Sequence, residues 1–113
     1  MRQATALAFK LAVYLIIFGV TMPVLGLLAL PQSMILAAVH TLLLWLADLT
    51  ILPRFGNLMA TVGDVGVLIV GTALVLGAMR AVPNPGGFVA AVLLGTIFEF
   101  WFHRWLLSTA VVE

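Results

Sequence analysis

The sequence predicts an all-α fold, a transmembrane four-helix bundle with antiparallel, up-down topology. Two observations carry this expectation. Of the 113 residues, 65% are hydrophobic and 8% charged, against about 45–50% apolar residues in soluble domains. A soluble chain this short could not hide so much apolar surface. The apolar residues also fall into four segments, each close to the roughly 20 residues that a helix needs to cross the hydrocarbon layer. Clusters of proline and glycine separate them, as expected for breaks between helices.

The first span covers about residues 7–30 and follows a basic start. Its apolar run, Leu11 to Leu30, exceeds the roughly 7–15 residues of a signal-peptide core, and no small-residue cleavage site closes it, so it is expected to be a retained helix. Gly19, Pro23 and Gly26 within it mark a kink or a close helix contact. "LPQS", with Pro31, leads to a second span over about 34–52. "LPRFGN" then leads to a third, over about 57–79. There Pro53 stops the second helix and Gly56 permits a tight reversal. "MRAVPNPGG" precedes the fourth span, over about 88–109. The first two turns are so short that the helices they join must be antiparallel neighbours. Residues 1–113 thus form a single integral membrane domain.

Composition also excludes several functions. The net charge of +1 implies no nucleic-acid surface. The absence of cysteine removes disulfides, thiol catalysis and cysteine-ligated metals. No glycine-rich phosphate loop is present, so no nucleotide is expected. No cofactor or metal motif is read, and no nucleophile accompanies the acids, so the chain is not expected to be an enzyme.

Basic residues set the expected orientation. Arg2, Lys10, Arg54 and Arg104 collect on one side of the four spans and Arg80 alone on the other. Both termini and the Pro53–Gly56 turn are therefore expected in the cytoplasm, with Lys10 snorkelling outward to that surface.

Against this apolar background the polar residues stand out. Asp48 lies near the cytoplasmic end of the second span. Asn57, Thr61 and Asp64 follow at i, i+4 and i+7 on one face of the third. Glu99 and His103 are one turn apart in the fourth, with Ala91 and Gly95 extending the same stripe. A carboxylate facing lipid is costly, so Asp48, Arg54, Asn57, Asp64, Glu99 and His103 are expected to form a polar cluster in the cytoplasmic half of the core. Arg54, Arg104 or Lys10 is expected to satisfy the acids, with Arg54, between the two aspartates, an important partner of that pair, and Asn57 is expected to cap the third helix or bond the free carbonyls ending the second. His40 is expected to hydrogen-bond between helices. The aromatics of "FEFWFHRW" are expected to pack and to form an interfacial belt.

At "ADLTILPRFGNLMATVGDVGV" (47–67) and, more loosely, "FEFWFHRWL" (98–106), the chain resembles the YndM-like family of small four-span bacterial membrane proteins of unknown function. The resemblance implies a bacterial plasma membrane protein and directs attention to Asp48, Pro53, Arg54, Asn57, Asp64, Glu99 and His103. It supplies no activity.

The leading functional expectation is a structural or interaction bundle in the lipid bilayer. Such a bundle could self-associate as a homo-oligomer through small-residue faces at Ala73 with Gly77 and at Ala91 with Gly95. The alternative is a small proton- or cation-coupled transporter or channel-like protein that uses the intramembrane carboxylates. In size it is similar to small multidrug transporters, but it lacks an acid in the first helix. A third reading, a holin-like pore former, is weakened by a C-terminus with only Arg104 and Glu113 charged in its last ten residues.

Overall fold

The computed structural model describes residues 2–108, with side chains for residues 4–106. Helix α1 runs Arg2–Val20 and continues as a wide π turn over Thr21–Leu25. Helix α2 spans Leu30–Thr50, α3 spans Leu52–Ala78 and α4 spans Pro85–Ser108. No strand occurs among the described residues. The side chain of Arg2, the residue Glu113 and the expected end of the fourth span at 109 lie outside the described part.

All four helices are long and apolar enough to cross a membrane. The shortest candidate span, Leu30–Thr50, has 21 residues. At 1.5 Å per residue it is about 32 Å long, a match to the ~30 Å hydrocarbon layer. The chain is therefore a membrane-embedded helix bundle. Large apolar side chains such as Ile16, Leu42, Leu58, Leu74 and Ile97 cover its exterior.

All four helices begin earlier than expected, three of them because prolines start helices rather than only end them. Pro31, Pro53 and Pro85 sit in the first turns of α2, α3 and α4. There a backbone N–H would lack a partner anyway, so its loss costs little. Pro23 acts in the opposite sense. Inside the π turn that continues α1 it cannot donate to the carbonyl one turn back, and its ring crowds that carbonyl. The ladder widens there, with the Gly26 N–H donating to the Thr21 carbonyl at 2.9 Å.

Helix α1 packs on α2, α2 on α3 and α3 on α4, while α4 also meets α1 and the π turn. Tyr14, Phe18, Met22, Leu36, Leu44, Leu68 and Ala91 fill the main core. His40 links α2 to α3. Its Nδ1 donates to the Leu36 carbonyl at 2.8 Å, and its Nε2 accepts from the Thr72 hydroxyl at 3.2 Å. Near the start of α4 the backbones of two glycines touch: a Cβ on Gly87 would lie 2.4 Å from the backbone N and Cα of Gly26. The Asn84 N–H donates to the Gly26 carbonyl at 2.8 Å beside this contact. Ala91 and Gly95 are buried within the bundle, Gly95 against Leu68, whereas Ala73 and Gly77 are exposed.

Candidate functional site

Each of the four helices brings an ionisable side chain to one buried centre. Helix α1 supplies Lys10 and Tyr14, one turn apart. Helix α2 supplies Asp48, α3 supplies Asp64, and α4 supplies Glu99 and His103. Lys10 is 0% exposed. It does not snorkel to the surface, because its ammonium is drawn inward. Lys10 Nζ donates to Asp48 Oδ2 at 2.5 Å and to Glu99 Oε1 at 3.0 Å. The Tyr14 hydroxyl donates to Glu99 Oε2 at 2.5 Å.

The other side of the centre is built around one nitrogen. His103 Nε2 lies 2.9 Å from Asp48 Oδ1, 3.0 Å from Asp64 Oδ2 and 3.2 Å from Glu99 Oε1. One ring N–H has a single direction, so it cannot serve three carboxylate oxygens well. Asp64 Oδ2 is left buried with no hydrogen-bond partner despite its closeness to the ring. The opposite ring nitrogen is 3.1 Å from Asn57 Oδ1 and 3.1 Å from Thr61 Oγ1. The Asn57 amide donates to the Phe100 carbonyl at 3.3 Å, which turns its oxygen toward the imidazole.

Three carboxylates thus face one ammonium and one imidazole, a net charge of −1 with His103 protonated and −2 with it neutral. Asp48, Asp64, Glu99 and His103 each offer a ligand atom, all within 4.8 Å of one another, so these four could also hold a metal ion. An aromatic wall from α1 and α4 covers the centre. The Phe102 ring centroid is 5.0 Å from Lys10 Nζ. Phe9, Phe98 and Trp105 pack around Phe102, with ring centroids 6.1, 5.2 and 5.6 Å away. The wall combines a cation–π contact with exclusion of lipid from the charges.

Several expected site residues therefore meet and one does not. Asp48, Asn57, Asp64, Glu99 and His103 come together. Arg54 is exposed and forms no ion pair with either aspartate among the described residues. Its sequence position between the two acids misled, because Gly56 intervenes with φ 82° and ψ 179° and separates the start of α3 from the face carrying Asn57, Thr61 and Asp64. Only glycine adopts that conformation freely. Asn57 does not cap α3, because its amide is committed to α4. Tyr14 was not anticipated. The available signal was its spacing: it is the chain's one tyrosine and lies one turn beyond Lys10 in an apolar span.

No curated protein and no solved structure matches the chain. One family model does, and it spans the charged centre and every helix that builds it. Residues 1–113 match the family described as protein of unknown function (DUF2512), and the chain belongs to that family.

Proposed function

We propose that the protein is a small proton- or cation-coupled carrier whose working part is the centre formed by Lys10, Asp48, Asp64, Glu99 and His103. The observation that carries this reading is the excess of buried acids over bases, with Asp64 Oδ2 close to His103 but without a hydrogen bond. A centre designed only to hold helices together would balance its charges, since surplus charge in a low dielectric is expensive. An intramembrane acid without a matched base favours taking up a proton or a cation.

The proposal includes four antiparallel spans in a bacterial plasma membrane, as the YndM-like resemblance implies. Both termini face the cytoplasm, on the side of Arg54 and Arg104. Reporter fusions at Glu113 and within residues 83–87 should give opposite sides, and an external C-terminus would reject this topology. Carriage is tested in proteoliposomes under proton and cation gradients. Wild type should show pH-dependent flux and Glu99→Gln should lose it while remaining folded. Flux that is absent in wild type, or unaltered in Glu99→Gln, would remove the carrier reading.

The second reading is a static interaction bundle. It is favoured by the fact that Lys10, Asp48, Asp64 and His103 come from four different helices and tie them together. Under this reading the same substitutions change stability and leave no flux to lose. The exposed pair of Ala73 and Gly77 is the small-residue face that would remain for a second copy.

A further inference from the structure

We propose that Asp48, Asp64, Glu99 and His103 form a binding site for one divalent first-row transition-metal ion. This rests on reading the centre as a cation site, and it names the cation. The four donors converge from three helices, are all buried, and place their ligand atoms within 4.8 Å of one another.

A second observation points to a ligand: Asp64, 1% exposed, aims Oδ2 into the centre with no hydrogen bond. The Asn57 amide is oriented by the Phe100 carbonyl and presents its oxygen to His103 Nδ1 at 3.1 Å. The Thr61 hydroxyl donates to that same oxygen at 3.1 Å. An Nδ1–H that donates to Asn57 Oδ1 leaves the Nε2 lone pair facing Asp48 Oδ1, Asp64 Oδ2 and Glu99 Oε1. Of these oxygens Glu99 Oε1 also accepts from Lys10, whereas Asp64 Oδ2 accepts no hydrogen bond. A positive charge among them, a metal ion or a proton on Nε2, makes that arrangement favourable, and titration with metal ions separates the two. Hydrogen-bonding the far nitrogen of a ligating histidine is also how proteins fix its tautomer and raise its basicity.

Charge and donor type select the ion. With His103 neutral as a ligand, three carboxylates and Lys10 leave a net −2, which a divalent ion cancels and a monovalent one does not. Three carboxylate oxygens with one imidazole nitrogen suit zinc, manganese, iron or cobalt rather than magnesium or calcium, which prefer all-oxygen shells. Four ligands at roughly 2.0–2.2 Å from a tetrahedral ion sit roughly 3.3–3.6 Å apart. His103 Nε2 is 2.9 to 3.2 Å from the three oxygens, while the four donor atoms span up to 4.8 Å, so admission of an ion needs the nitrogen to draw back and the oxygens to close in. Lys10 holds Asp48 through Oδ2, away from the ion, but Glu99 would share Oε1 between Lys10 and the ion, with Tyr14 on Oε2.

Tag-free protein, stripped with a chelator in detergent, is titrated with Zn²⁺, Mn²⁺ and Co²⁺, with Mg²⁺ as the oxygen-preferring control. The expected result is a single ion per chain, no competition from Mg²⁺, and intense visible absorption of Co²⁺ in a four-coordinate site. Asp64→Asn should weaken binding by ~100-fold or more, and Asn57→Ala by ~10–100-fold through the histidine it orients. Circular dichroism and elution position report folding, and Glu99→Gln carries the same comparison where Asp64→Asn does not fold. Folded wild type that retains no ion, or folded Asp64→Asn or Glu99→Gln that binds as wild type does, overturns the proposal. Flux measured on the same preparation separates this failure from that of the carrier reading. Proton flux lost in Glu99→Gln without metal binding overturns the metal site alone. Metal binding without flux supports the site and overturns carriage.

Discussion

The two ends of the bundle are held by opposite means. Around Lys10, Asp48, Asp64, Glu99 and His103 the helices are joined by charge, through contacts of 2.5 to 3.2 Å. Around Gly26, Gly87 and Asn84 they are joined by close backbone approach and one carbonyl hydrogen bond. Lipid tails are as apolar as leucine, so burial of apolar surface gives little reason for helices to associate in a bilayer. Close packing and polar contacts remain, and this protein assigns one to each end. The close-packed end can be stable with no ionisable group. The charged end carries an imbalance that close packing would never require, and that difference marks it as the place for function.

The largest expected effect comes from breaking the charged end. Lys10→Met keeps most of the side-chain volume but leaves Asp48 and Glu99 without their ammonium. Removing one partner of a buried ion pair costs about 3–5 kcal/mol, so thermal unfolding in detergent should show a large downward shift. Adding Glu99→Gln should recover part of it. A Lys10→Met shift no greater than that of a surface substitution would sink the idea that this end is held by charge.

Next in size is the glycine contact. Gly87→Ala places a methyl 2.4 Å from the Gly26 backbone, and α4 must move away. Overpacking of this kind costs about 1–3 kcal/mol. The shift should be smaller than that of Lys10→Met, and ion binding should survive. Loss of ion binding in a folded Gly87→Ala protein would show that the two ends are not separable.

Between the ends, Thr72→Val removes the hydroxyl that bonds His40 Nε2 at 3.2 Å. Interhelical hydrogen bonds of this type average about 0.6 kcal/mol in membranes, so a small shift is expected, measurable by chemical denaturation. The smallest effect belongs to Arg54→Ala. With Arg54 exposed and outside the centre, its melting temperature should match that of Arg80→Ala within error. A clearly larger loss for Arg54→Ala would restore Arg54 as a partner of the aspartates.

That last expectation reverses the one drawn from sequence, and the reason is instructive. Four apolar helices were legible because their length and composition have few alternatives in water or lipid. Asp48, Asp64, Glu99 and His103 were legible because ionisable groups inside such segments stand out, and helical spacing put Glu99 and His103 on one face. Which cation they meet was not legible. Arg54 is near the aspartates along the chain, but one backbone angle at Gly56 redirects the helix that follows. Lys10 sits close enough to a helix end to reach either water or the core, and hydropathy does not tell those apart. The choice is made by residues 38 and 89 positions away. Metal-ligand spacing was invisible for the same reason, because the four donors are spread over three helices.

The separation between Lys10 and Glu99 has a consequence for biosynthesis. At ~5–20 residues per second, the 89 positions between them take on the order of ten seconds to synthesise. Asp48 meets the Lys10 ammonium after 38 positions, but Asp64 must wait for His103 in the last span. A nascent protein lacking its final helix therefore holds two intramembrane acids against one base. Chains cut before Pro85 should be degraded rapidly, and Asp64→Asn should lengthen their lifetime in a pulse-chase experiment. Equal lifetimes would mean that the aspartate finds water while it waits, and the order of synthesis would leave no trace in turnover.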